Sequence, residues 1–153
     1  MSQILQADVV DLFYGAISQD ATIKNTSGIK IDKLVDRRAL ASTPSPDQGN
    51  KHIIISKQRS GPFEWNCGGL AGQVHEFVKI ETIVKTVEGN EDARQVIDTL
   101  RVRIKEVLFS AQFLGTGWLM HKIVQDQFPS APMKTRAYHV LVYDVMVTMG
   151  VKS

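Results

Sequence analysis

The chain has 153 residues, 43% hydrophobic, 22% charged and 7% aromatic, a composition that excludes fibrous, low-complexity and wholly disordered classes. Eighteen Lys and Arg against sixteen Asp and Glu leave a formal charge of +2, and the sequence pI of about 8.7 falls short of a typical nucleic-acid-binding domain. At this length one domain over residues 1–153 is expected, large enough to fold without disulfide or metal.

The first residues, Met1 to Asp8, lack the basic and then apolar pattern of a secretory leader, and no run approaches the roughly 18 apolar residues that span a membrane. Apolar residues then recur at Leu5, Val9, Leu12, Phe13, Ala16 and Ile17, a spacing that predicts a helix over about Ile4 to Ser18. Gln19 to Gly28 reads as polar turn. Ile29 to Leu40 shows scattered apolar residues without a sustained period, and Ser42 to Asn50 is a loop by composition.

Three successive isoleucines, Ile53 to Ile55, predict a strand over His52 to Lys57 with both faces covered. The glycine-rich stretch Ser60 to Gly72 breaks both periods and is expected to be a loop closing a hairpin. Val74 to Val87 alternates, with Val78, Ile80, Thr82 and Val84 on one face, and reads as a long strand. The strongest helical stripe follows: Ala93, Val96, Ile97, Leu100, Ile104, Val107, Leu108 and Ala111. Asn90 is its expected N-cap, Glu91 and Asp92 sit at the positive end of its dipole, and Gly115 and Gly117 end it.

Trp118 to Phe128 and Thr135 to Thr148 complete the pattern as two strands around the turn Pro129 to Pro132. The expected fold is α+β: a four-stranded, mainly antiparallel sheet of two hairpins packed by two main helices, in the order α-β-β-α-β-β.

The residues carry no recognisable catalytic signature. Gly68-Gly69-Leu70-Ala71-Gly72 is followed by Gln73 and Val74, not by the Lys of a phosphate-binding loop, and it joins two predicted strands. His52, His75, His121 and His139 are dispersed over different elements with the single cysteine, Cys67, far from ligand spacing. That lone thiol permits no intrachain bridge, so a reducing compartment is the simpler reading. No Gly-x-Ser-x-Gly elbow occurs. The paired carboxylates Asp8 and Asp11, or Glu91 and Asp92, fall where helix capping and solvation explain them. No catalytic, cofactor or metal residue is therefore expected, and the chain is not read as an enzyme.

Partner contacts are the better expectation. Arg94, Asp98, Arg101 and Lys105 form a row on the second long helix, with Arg103 adding charge. Asp98 interrupts the field and no aromatic residue interleaves, so this is a solvated or protein-interface face more than a DNA-binding one. On the last strand Ala137, Leu141, Tyr143, Val145 and Val147 alternate with Tyr138, Val140, Val142 and Met146, so both faces are apolar. One helix layer covers one face; the other is covered either by Ile29 to Leu40 or, as the favoured reading, by a neighbouring subunit. Phe63 and Trp65, aromatics among glycines, are candidate anchors that order on docking. The candidate contact residues are thus Phe63, Trp65, Arg101, Arg103, Tyr143 and Met146.

The layout resembles the tail terminator, or tail completion, proteins of long-tailed bacteriophages. The resemblance rests on the helix Ala7–Ile17, on Asp32-Lys33-Leu34-Val35-Asp36-Arg37-Arg38 leading through a Pro-containing loop to the strand His52–Ser56, and on the alternation Phe77-Val78-Lys79-Ile80-Glu81-Thr82. It continues through the helix Asn90–Ala111 and the closing hairpin Met120–Phe128 with His139–Val147. The segment from Lys57 to Val74 departs from the family's plain hairpin.

The resemblance implies a structural virion protein of the tail and neck that assembles in the host cytoplasm. It would form a ring, commonly a homohexamer, on the tail tube, stop tube polymerisation and present a surface to the head connector or stopper protein. DNA would pass through such a ring without sequence recognition. A head-side neck adaptor and, from a different class, a small ligand-binding or enzymatic α+β domain are the alternatives.

Overall fold

A computed structural model describes residues 6–34, 50–65, 71–87, 91–110 and 119–150. In chain order these form α1 (Gln6–Ser18), α2 (Ala21–Lys24), β1 (Ile29–Leu34), β2 (Lys51–Trp65), β3 (Ala71–Lys85), α3 (Ala93–Leu108), β4 (Leu119–Gln127) and β5 (Arg136–Gly150). The fold is α+β, but the sheet is mixed and five-stranded, in the order β1-β2-β3-β5-β4. The four-stranded expectation missed β1, which pairs in parallel with β2 at one margin; every other pairing is antiparallel.

The missing strand has a local cause. Gly28, at φ +74°, turns the chain out of α2 where a side chain would collide with that of Asn50. The Lys51 amide donates to the Gly28 carbonyl at 3.3 Å, and the ladder runs from Ile29 opposite Lys51 to Leu34 opposite Ser56. Ile29 and Ile31 alternate with Lys30 and Asp32, a two-residue period short enough to escape notice over six residues. Residues 29–34 therefore extend the sheet sideways and do not lie across a face. Residues 35–49 lie outside the described ones.

The glycine-rich stretch also differs from expectation. Ser60 to Trp65 continues β2 and Ala71 to Gln73 begins β3, with Phe63 opposite Val74 and Trp65 opposite Gly72. Register shifts between Lys57 and Arg59 and between Ser60 and Phe63 absorb the irregular sequence as bulges, so Gly61 and Pro62 do not end the strand. Residues 66–70, including Cys67, lie outside the described ones.

The helix boundaries follow capping chemistry. Asp92, not Asn90, caps α3, its carboxylate accepting from the Arg94 amide at 3.0 Å. The described helix ends at Leu108 with Phe109 at the C-cap, before the expected glycines; residues 111–118 lie outside the described ones. Asp20 caps the short α2 within the stretch expected to be turn.

Among the described residues the core packing between helices and sheet lies on one face. Val9, Phe13 and Ile17 of α1 and Ile104 and Leu108 of α3 meet Ile53, Ile55, Val78, Ile80, Leu141 and Tyr143. A second cluster joins Ala93, Ile97 and Leu100 to Val84 and Ala137. The register places Lys30, Asp32, His52, Ile54, Lys79, Glu81, Tyr138, Val140, Val142 and Met146 on the opposite face. Among the described residues no helix packs there. Val140 and Val142 are nonetheless only 5% and 1% exposed. Ile54, Glu81 and His52 on the same face are 7%, 7% and 8% exposed, so burial there is already reached within a single chain, and the apolar second face does not by itself require a subunit to cover it.

Candidate interaction surface

The expected contact residues are distributed over both faces. Tyr143 is 3% exposed and meets Phe13 edge-on, with ring centroids 5.5 Å apart. Burial pushes its phenol well above the ordinary tyrosine value, so it stays neutral inside the helix-covered core. Met146 is half-buried on the opposite face, in register with His75. Phe63 and Trp65 stand in the β2 ladder, in register with helix-face positions of β3, and not in a loop.

The two arginines are committed within the chain. Arg103 Nη2 and Nε donate to the two Asp20 carboxylate oxygens at 2.6 and 3.0 Å, and Nη1 donates to Glu106 at 3.1 Å. These bonds raise the Arg103 guanidinium above its ordinary value, while its bonds to Asp20 hold that carboxyl low. Because Asp20 also accepts from the Ile23 amide, one carboxylate fastens α2 to α3.

Arg101 belongs to a second knot. It donates to Asp98 at 2.6 Å, lies 3.7 Å from Asp126, and sits over the Phe128 ring. Asp126 also takes Lys105 Nζ and His139 Nε2, the latter at 2.6 Å. Burial pushes the His139 imidazole below its ordinary value against the pull of Asp126. Burial alone would raise the Asp126 carboxyl; the bonds from Lys105 and His139 outweigh it and hold the group low. This cluster ties α3 to β4 and β5 and occupies Asp98, Arg101 and Lys105 of the row read from the sequence, while Arg94 pairs with Asp92.

The opposite face carries lateral polar pairs. His52 Nε2 bonds Asp32 at 2.6 Å, His75 Nδ1 bonds Asp144 at 2.8 Å, and Glu81 accepts from the Tyr138 hydroxyl with Lys79 nearby at 3.5 Å. His52 Nδ1 and Glu81 Oε1 are buried without a hydrogen-bond partner. A His–Asp pair with a free ring nitrogen is half of a nucleophile-activating device. Ser56, the hydroxyl residue on the same strand and face, stands four residues away, about 13 Å, out of reach of that nitrogen. Among the described residues no group of three or more His, Cys, Asp or Glu could hold a metal ion, and no helix is long and apolar enough to cross a membrane.

What remains open is a margin. Phe109 at the end of α3 is 78% exposed, and Ile123 and Val124 on β4 are 42% and 48% exposed. Between α3 and β4 lies a groove of about 630 Å³ whose lining includes Lys105, Glu106, Phe109, Ile123 and Tyr143. Among the described residues β4 is an edge strand, and β1 is the edge on the far side. An edge strand presents unpaired amides and carbonyls to any chain able to add alongside it. Sequence reasoning missed both edges: β1 because its alternation is short, and β4 because an edge is defined only by strand order.

No protein-family model matches this chain, and no curated protein matches it significantly.

Proposed function

We propose that this chain is a structural assembly subunit of the tail-terminator kind: a ring-forming virion protein of the phage neck and tail. Its ring caps the tail tube, stops polymerisation and offers its other surface to the head connector or stopper. The observation that carries the reading is the margin formed by β4 and the end of α3, where Phe109, Ile123 and Val124 expose apolar surface beside a strand edge unpaired among the described residues. The commitment of Arg101, Arg103, Asp126 and His139 to intrachain bonds supports it, since these charges hold the subunit together. The chemistry of such a protein is association, and each ring contact is a modest interface made strong by repetition around a closed cycle.

The test is size-exclusion chromatography with light scattering, followed by addition of the protein to polymerising tail-tube subunits. Rings of uniform mass and tubes of capped length are expected. A monomer at every concentration that leaves tube growth unchanged overturns the reading.

A further inference from the structure

The structure assigns the partner of each free sheet edge: we infer that β4 of one copy adds antiparallel to β1 of the next, with Ile123 opposite Ile31, Lys122 opposite Asp32 and His121 opposite Lys33. The inference rests on the ring reading above and goes beyond it by naming the two strands, their direction and their register.

Direction comes first. β1 is parallel to β2, and three antiparallel steps, β2 to β3 to β5 to β4, leave β4 running opposite to β1. A second copy set alongside without inversion therefore brings β4 antiparallel to β1, with both helix layers on the same side of one continuous sheet.

The backbone must permit that pairing, and it does. In an antiparallel ladder alternate residues direct their amide and carbonyl to one neighbour and the intervening residues to the other. The Thr86 amide donates to the Thr135 carbonyl at 2.9 Å. Counting by twos along the unbroken β3–β5 register, His139, Leu141, Tyr143 and Val145 aim at β3, so Asp144 and Met146 aim at β4. Their partners Lys122 and Met120 point back at β5, which leaves His121 and Ile123 pointing outward. At the other margin the Lys51 amide donates to Gly28 at 3.3 Å, so Gly28, Lys30 and Asp32 face β2 while Ile29, Ile31 and Lys33 point outward. The outward residues of both edges thus occupy the helix-face register. Pairing Ile31 with Ile123 and Lys33 with His121 makes about four main-chain hydrogen bonds.

Side chains select this register. Ile31 packs against the helix-face core and Ile123 is half-exposed on the same face, so the pair extends that core across the joint. On the other face Lys122, exposed and without an ion pair among the described residues, comes opposite Asp32, whose side chain is 38% exposed. The bulge between Ile123 and Gln125 ends the regular edge there, so the regular pairing runs from Ile123 opposite Ile31 to Met120 opposite Leu34.

Asp32 and Lys122 would form a non-hydrogen-bonded pair, whose Cα separation of about 4.5 Å suits a disulfide. In a Cys67→Ser background, the Asp32→Cys/Lys122→Cys double variant is expected to give a ladder of covalent multimers on mild oxidation. Mixing the two single variants should give heterodimers, and each alone none. Homodimers of Asp32→Cys alone, or of Lys122→Cys alone, would mean two-fold pairing of like edges and overturn the assignment. No cross-link in a preparation that light scattering shows to be a ring overturns the edge pairing and leaves the ring reading standing. No assembly at all overturns both.

Discussion

On the helix-covered face of the sheet, Ile53, Ile55, Val78, Ile80 and Leu141 meet Phe13, Ile104 and Leu108, and a polar group such as His139 enters with a charged partner from a neighbouring element. On the opposite face the same strands place Asp32 beside His52, Lys79 and Tyr138 around Glu81, and His75 beside Asp144, pairs made sideways within the sheet. The contrast teaches that shape complementarity holds the helices to one face, while on the other lateral hydrogen bonds join the polar groups set among the buried Ile54, Val140 and Val142. The first kind of stability is lost with volume, the second with a donor or acceptor.

The largest break in that comparison is Phe13→Ala. It removes a fully buried ring from between α1 and Tyr143 and is expected to cost about 3–5 kcal/mol in urea unfolding. Ile83→Ala, half-buried on the opposite face, should cost only about 1 kcal/mol in the same measurement. Equal losses would end the distinction between the faces.

Next in size is Tyr138→Phe, which deprives the buried Glu81 carboxylate of its hydroxyl donor and should cost about 1–3 kcal/mol. Adding Glu81→Leu should recover much of that loss, because removing both partners leaves no orphaned group. A double variant as unstable as the sum of the singles would mean that packing, and not hydrogen bonding, orders this face. On the helix side, Asp20→Ala removes the α2 cap together with the tie to Arg103 and should cost about 1 kcal/mol, read from the unfolding midpoint.

The smallest effect is a pH dependence. The folded His139 value lies below the ordinary 6.5, so the unfolded chain binds its proton first and stability falls as pH drops through 6.5 towards the folded value. Asp126 contributes stability above its ordinary 3.8, lost as pH falls through its still lower folded value. His139→Gln should flatten the limb near 6.5 and leave the acid limb in place, as followed by unfolding midpoints from roughly pH 8 to roughly pH 3. An unchanged upper limb would place that titration elsewhere.

Much of this was legible in the residues. The stripe Ala93 to Leu108 gave α3 because a 3.6-residue period over sixteen residues has no competing reading. Ile53 to Ile55 marked a strand buried on both faces. The glycines between Ser60 and Gly72 misled: bulges accommodate irregular sequence inside a ladder when both flanking strands are long, and only the partner strand reveals this. Arg101 and Arg103 read as a solvated or protein-interface face because Asp126 and Asp20, which tie them to other elements, lie 25 and 83 residues away in sequence.

By itself the sequence determined the periodic elements, the near-neutral charge and the absence of a familiar catalytic pattern, since these depend on residue type and local spacing. Only the tertiary structure decided that β1 is a margin of the sheet, that Tyr143 is core, and which backbone groups face outward from β4. Strand order and ladder parity arise from pairings between distant segments, and no local period in the chain encodes them.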